Sequence, residues 1–230
     1  MLPADTRLLA DGEALAVEAC RLIVDAAQEA IRARRIFRLV LAGGRTPGRA
    51  YQHLATARQE WAAWEIFWGD ERCLPADHPA RNSVLAYQAW LAHVPLPAAQ
   101  VHVIPAELGA APAAAAYAKT IADQLPFDLV VFGMGEDGHT ASLFPGSADA
   151  PDPVIAVYGA TKAPAERVSL NYQSLRACRR QLILVSGTGK SAALAAWRQG
   201  EKLPIALAAT DNACLLVDTG TARAAGLASG

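Results

Sequence analysis

The chain has 230 residues, a formal net charge of -1 and 53% hydrophobic residues. That length and apolar content suffice for one large α/β domain and argue against a disordered chain. The near-neutral balance argues against a nucleic-acid or anionic-membrane binder, which needs a basic surplus, but leaves room for a small anionic ligand held by local cations.

Taken in chain order, the segment Asp11 to Arg35 repeats Leu15, Ala19, Leu22, Ile23, Ala26, Ala27 and Ala30 at helical spacing. Ile36 to Ala42 is a short apolar run that reads as a strand entering a loop at Gly43-Gly44. A helix is predicted from Pro47 to about Arg58, with proline at an early position. Glu65 to Trp68 reads as a second strand, Asn82 to His93 as a helix and Val101 to Ile104 as a short strand. The alanine-rich stretch Ala111 to Leu125 is predicted helical, and Asp128 to Phe132 is a third clear strand. Val154 to Tyr158, Arg167 to Leu170 and Gln181 to Val185 are further strand candidates; Ser191 to Gln199 reads as a helix and Ala213 to Val217 as a last strand.

Strands alternating with helices predict an α/β fold with a mostly parallel sheet flanked by helices. With no internal repeat and no long linker, residues 1–230 are read as a single domain. The first residues carry Asp5, Asp11 and Glu13 and lack an uninterrupted apolar run, so no signal peptide is expected. No stretch is apolar enough to span a bilayer, and the scattered cysteines Cys20, Cys73, Cys178 and Cys214 fit a reducing compartment. A cytoplasmic protein is the expectation.

Ligands in open α/β sheets bind beyond the carboxyl ends of the strands. Strand-end loops here carry the unusual residues: Gly43-Gly44-Arg45-Thr46-Pro47, Asp70-Glu71-Arg72, Gly133 to His139, and Ser186 to Ser191. The first is either a tight turn or an anion cradle, with backbone amides at a helix start and the Thr46 hydroxyl as donors. The last resembles the end of a nucleotide P-loop, but the glycine that motif needs five residues before Gly189 is Leu184. Lys190 there stands ready to neutralise phosphate. Gly133, Gly135 and Gly138 match a dinucleotide fingerprint formally. Pro145 would break the required helix, and Val157-Tyr158-Gly159 lacks the acidic ribose ligand.

What remains in that loop is Asp137 beside His139, a carboxylate able to set a histidine's tautomer and basicity. Read alone, the charged run Asp70-Glu71-Arg72 is either a solvated loop with a capping aspartate or a cation and a carboxylate over the same rim. Arg167 is either a surface arginine or a bidentate phosphate contact. No GxSxG elbow or HExxH motif is present, and His53, His78, His93 and His102 form no ligand-like cluster, so no metal is expected.

Together GGRTP (Gly43 to Pro47), WGDER (Trp68 to Arg72), DHP (Asp77 to Pro79) with Asn82, GMGEDGHTASLFPG (Gly133 to Gly146), PAERVSL (Pro164 to Leu170) and SGTGK (Ser186 to Lys190) resemble the 6-phosphogluconolactonase family. The resemblance runs from about Ala42 to Lys190, and more weakly through Leu203-Pro204 into the last strand. It implies a Rossmann-like fold shared with sugar-phosphate isomerases, and a cofactor-free cytoplasmic lactonase of the pentose phosphate pathway. Its expected partner is a small-molecule substrate, in a monomer or homodimer, with no nucleic acid or membrane. By motif, Gly44, Thr46, Arg167 and Lys190 would hold the 6-phosphate, His139 would be the catalytic base supported by Asp137, and Arg72 would lie near the lactone end. Gly43, Asp70, Asn82 and Gly135 complete the substrate-binding set. In place of SNY-like residues after DHP, this chain has Ala80-Arg81-Asn82-Ser83, which retains Asn82.

Glucosamine-6-phosphate deaminase is the neighbouring alternative. Its typical pattern places a glutamate where Phe144 stands, and DEY where Asp70-Glu71-Arg72 stands. A non-catalytic sugar-phosphate sensor is the other alternative; it would keep Thr46, Arg167 and Lys190 but would not need Asp137 and His139.

Overall fold

A computed structural model describes residues 1–147 and 150–227. In chain order the elements are β1 (Asp5–Leu9), α1 (Gly12–Arg34), β2 (Phe37–Leu41), α2 (Arg45–Leu54), β3 (Trp64–Trp68), β4 (Asp70–Arg72), α3 (Asn82–Ala89) and α4 (Ala110–Ile121). There follow β5 (Phe127–Gly133), β6 (Val154–Val157), β7 (Arg167–Leu170), α5 (Tyr172–Arg176), β8 (Cys178–Val185), α6 (Ser191–Arg198), α7 (Pro204–Ala208), β9 (Ala213–Asp218) and α8 (Thr219–Ala224).

The main sheet is parallel throughout, in the order β1-β9-β8-β5-β2-β3, and helices flank it. Its central strands are apolar on both faces, as a covered parallel sheet demands: Phe37, Leu39, Val40 and Leu41 in β2 are buried, as is β5 from Phe127 to Phe132. Helix α1 begins where Asp11 accepts the amides of Glu13 and Ala14, and ends at Arg35 in the left-handed region with φ 63°. From β2 the chain moves outward to β3, then returns past β2 to β5 and on through β8 and β9. The β2–β5 junction is therefore the point where strand order reverses, and a ligand cleft is expected beyond it.

The segments Val154 to Tyr158 and Arg167 to Leu170 do form strands, but not in the parallel sheet. They pair antiparallel with each other, and β7 pairs antiparallel with β4. Residues 158–166 are too few for a parallel crossover, which takes about a dozen or more, so a hairpin results. The predicted strand at Val101 to Ile104 reduces to one bridge, Val101 to Ile66. Edge strand β1 and the short helices α5, α7 and α8 were not predicted, since five or six residues give little periodicity to read. Helix α3 stops at Ala89 and a 3-10 turn, Leu91–His93, takes up the rest of its predicted range.

The buried side chains form one continuous cluster that includes Val154, Val168 and Leu170 from the small sheet. Under β2 and β3 it is aromatic, with Trp61 against Trp64 at 4.8 Å and Trp64 against Trp90 at 5.8 Å between ring centroids. Among the described residues no helix is long and apolar enough to cross a membrane.

Candidate active site

Beyond the β2–β5 junction lies a cleft of about 360 Å³. Its walls include Gly43, Gly44, Thr46, Asp70, Arg72, Asn82, Gly135, His139, Arg167 and Lys190, so residues far apart in the chain meet in one concavity. Asp137 stands behind the wall, bonded to His139.

At the first loop Gly44 adopts φ 102° and precedes the first residue of α2. This left-handed corner frees the amides of the first helical turn, where Arg45 and Thr46 also face the cleft. Helix α2 starts two residues before Pro47, whose missing N–H costs nothing in a first turn.

The run Asp70-Glu71-Arg72 is not a solvated loop; it is strand β4, with Asp70 5% and Glu71 0% exposed. Its two carboxylates are satisfied locally. Asp70 accepts from Ser142 Oγ at 2.6 Å and from Asn82 Nδ2 at 3.0 Å. Glu71 accepts the amides of Asn82 at 2.7 Å and Ser83 at 2.8 Å, which caps α3, and lies 3.4 Å from Nε of the buried Arg81. Arg81 also reaches Glu107 at 2.8 Å and the Ile104 carbonyl at 2.7 Å. The Ala80-Arg81-Asn82-Ser83 variation is thus a buried ion-pair and capping arrangement that sets Asn82 on the cleft wall.

Arg72 donates from Nη1 to the Ala80 carbonyl, while its buried Nε has no partner among the described residues. In the β4–β7 register it stands directly opposite Arg167. Like charges so placed repel, and an anion in the cleft relieves them. Burial pulls Arg167 below the usual arginine range, with Asp70 and Glu71 opposing and Arg72 assisting. The bidentate phosphate contact expected of Arg167 is not available on its Nε–Nη2 edge. Nε donates to the Pro164 carbonyl at 3.1 Å, and Nη2 to those of Lys162 at 2.8 Å and Ala163 at 3.2 Å.

The third loop brings Asp137 and His139 together by turning tightly. Gly135 N–H donates to the His139 carbonyl at 2.8 Å, and Gly138 takes φ 78°. The imidazole lies over Gly135: a β-carbon there would stand 2.0 Å from His139 Nδ1. His139 Nδ1 meets Asp137 Oδ1 at 2.5 Å, and the His139 amide donates to the same oxygen at 3.2 Å. With Asp137 ionised, Nδ1 is the donor of this bond, which fixes the orientation of the ring. Burial pushes the Asp137 carboxyl up, but the hydrogen bonds from His139 and its charge outweigh it and hold the carboxyl below 3.8. Among the described residues no helix follows this loop; Thr140 and Leu143 bridge instead, and Phe144 packs on the imidazole at 4.9 Å between centroids.

At the last loop Gly187 donates its amide to Asp218 at 3.0 Å and to Thr221 Oγ1 at 2.9 Å, anchoring the 3-10 turn Thr188–Lys190 ahead of α6. Burial is the main cause pulling Lys190 below 10.5; Arg45 and Lys162 add to it, while Glu136 and Asp218 oppose.

Four cleft residues with polar side chains went unassigned in the sequence reading: Arg45, Glu136, Lys162 and Ser186. Arg45, Glu136 and Ser186 lie inside motifs already singled out, so adjacency was their signal. Lys162 lies in a hairpin without a motif and had none. Among the described residues no group of three or more His, Cys, Asp and Glu is placed to hold a metal ion.

The chain is similar to known proteins in both sequence and fold. The family model of glucosamine-6-phosphate isomerases/6-phosphogluconolactonase matches residues 10–217. The 6-phosphogluconolactonase of Mycobacterium tuberculosis is 36% identical over 203 residues, covering 81% of this chain and 82% of that protein. That of Nostoc sp. is 34% identical over 199 residues, covering 82% of each. Among solved structures, 6-phosphogluconolactonase from Trypanosoma brucei superposes with a TM-score of 0.87 at 27% identity, covering 99% of both chains. That from Thermotoga maritima gives 0.87 at 26% identity over 93% of this chain and 99% of that one. A monomeric glucosamine-6-phosphate deaminase shares the fold, with a TM-score of 0.84 at 19% identity. Since the family model spans nearly the whole chain and relatives above 30% identity cover most of it, the chain belongs to the glucosamine-6-phosphate isomerase/6-phosphogluconolactonase family.

Proposed function

We propose that this chain hydrolyses 6-phospho-D-glucono-1,5-lactone to 6-phospho-D-gluconate, the oxidative-branch step of the pentose phosphate pathway, with His139 as general base. The observation that carries the reading is the imidazole itself. Nδ1 is held by Asp137, Nε2 has no hydrogen-bond partner among the described residues, and the ring lines the same cleft as Thr46, Arg72, Arg167 and Lys190. The relatives named above supply the substrate class.

In this mechanism His139 Nε2 takes a proton from water, and the oxygen adds to C1 of the lactone. Charge that grows on the carbonyl oxygen is met by Arg72 or by loop amides. The C1–ring oxygen bond then breaks, and the imidazolium returns its proton to the departing ring oxygen. Asp137 stays ionised throughout and stabilises the imidazolium. Thr46, Lys190 and the amides of Gly44 and α2 grip the phosphate, placing binding energy away from the reacting carbon. Phe144 occupies the position where the deaminase pattern carries its glutamate, and it packs on His139 rather than offering a second acid.

Proton release from freshly generated 6-phosphogluconolactone, compared with unphosphorylated gluconolactone after subtraction of spontaneous hydrolysis, tests this reading. Strong preference for the phosphorylated lactone is expected. Binding of 6-phosphogluconate without turnover would favour the sensor, and ammonia release from glucosamine-6-phosphate would favour the deaminase.

A further inference from the structure

We infer that Lys162 is a phosphate-binding cation of the cleft, and that Arg167 acts as its positioning residue by stapling the β6–β7 hairpin. The inference rests on the lactonase reading and deepens it.

Lys162 lies in the turn between β6 and β7 and lines the cleft that Lys190 also lines. The residue is solvent-exposed, and its ammonium has no carboxylate or carbonyl partner among the described residues. The electrostatic influence of Lys162 on Lys190 is consistent with the two charges converging on one ligand. Two ammonium groups over one cavity repel, and a dianionic phosphate between them removes that cost.

A hairpin tip is ordinarily a poor platform for a binding residue, because it must be ordered when the ligand arrives. Here the ordering is built in. Arg167 donates to three consecutive carbonyls, those of Lys162, Ala163 and Pro164. Ala160 N–H closes the turn on the Ala165 carbonyl at 3.0 Å. Arg167 is itself only 4% exposed, and its guanidinium sits 5.7 Å from the Phe144 ring centroid. That ring packs on His139, so one stack of side chains joins the hairpin to the catalytic imidazole. An arginine whose Nε–Nη2 edge is filled by backbone carbonyls is built to hold a loop.

Calorimetric titration with 6-phosphogluconate, together with steady-state proton release on the lactone, tests the inference on wild type, Lys162→Ala, Arg167→Lys and the double variant. A lost charge-assisted hydrogen bond predicts about tenfold weaker product binding for Lys162→Ala, expressed mostly in KM rather than kcat. Arg167→Lys cannot span three carbonyls and is expected to reproduce that loss, with the double variant no worse than Arg167→Lys alone. Lys162→Ala binding 6-phosphogluconate as tightly as an active wild type overturns the role of Lys162. Additive losses in the double variant overturn the staple and return Arg167 to direct phosphate contact. A wild type that neither binds nor turns over defeats the lactonase reading beneath both.

Discussion

Asn82 lays its side-chain oxygen against the α-carbon of Gly43, so closely that a β-carbon at residue 43 would stand 1.8 Å from Oδ1. The Asn82 amide nitrogen is tied to Asp70 through both the backbone and the side-chain oxygen, at 2.9 and 3.0 Å. It therefore cannot retreat without breaking bonds that are buried. This contact locks the loop after β2 to the start of α3 across the cleft.

Gly43→Ala is accordingly expected to destabilise the fold by about 1–3 kcal/mol through overpacking. It should also lower kcat/KM by more than the loss of stability explains, since both displaced groups line the cleft. Urea denaturation beside steady-state kinetics measures the two effects. An alanine variant with unchanged stability and activity would show that the loop is free to move.

His139→Ala is expected to lose about two to four orders of magnitude in kcat with little change in KM, the usual worth of a positioned general base. Retention of near-normal kcat would remove the base assignment. Asp137→Asn should fall between wild type and His139→Ala, because the imidazole keeps its place but loses its charge partner.

Asp137 also predicts an acid limit. Its folded carboxyl sits below the ordinary 3.8, so its stabilising contribution is complete above that value and is lost as pH falls through the lower folded one. Comparison of wild type and Asp137→Asn in denaturant melts from pH 5 downward should show the two curves converging in acid.

Glu71 is a structural carboxylate, capping α3 and facing the buried Arg81. Glu71→Ala leaves a buried guanidinium short of one partner and two amides uncapped, and about 3–5 kcal/mol of destabilisation is expected. Glu71→Gln should cost less, since it can still accept an amide hydrogen. Midpoints of urea unfolding distinguish the two; an alanine variant as stable as wild type would contradict the capping role.

Lys190 predicts the alkaline side of binding. Burial lowers its affinity for a proton, so its charge is lost as pH rises through a value below 10.5. Titration of 6-phosphogluconate across alkaline pH should show Kd rising before the ordinary lysine range is reached. Lys190→Arg, which stays charged, should flatten that rise even where it weakens binding.

The strand-end loops were legible because glycine, proline and charged residues interrupt apolar runs such as Ile36 to Ala42 and Asp128 to Phe132. Apolar periodicity likewise exposed α1, and chemistry exposed the Asp137–His139 pair. Local pattern could not tell which sheet Val154 to Tyr158 and Arg167 to Leu170 would join, since an antiparallel hairpin and a buried parallel strand read alike over a few residues. Nor could it sort Asp70, Glu71 and Arg72 into a cleft carboxylate, a helix cap and a rim cation. Those roles follow from partners eleven to seventy-two positions away and, for Arg72, from Arg167 across the strand pair.

Residue chemistry and spacing, which are local, thus determined by themselves the α/β alternation, the strand-end loops that meet at the cleft and the Asp137–His139 pair. The tertiary structure alone decided that Glu71 caps α3, that Arg167 gives one edge to its own hairpin, and that Lys162 lines the cleft. Each of those outcomes depends on which distant backbone groups a buried charge finds to satisfy it, and that is settled only when the two sheets pack together.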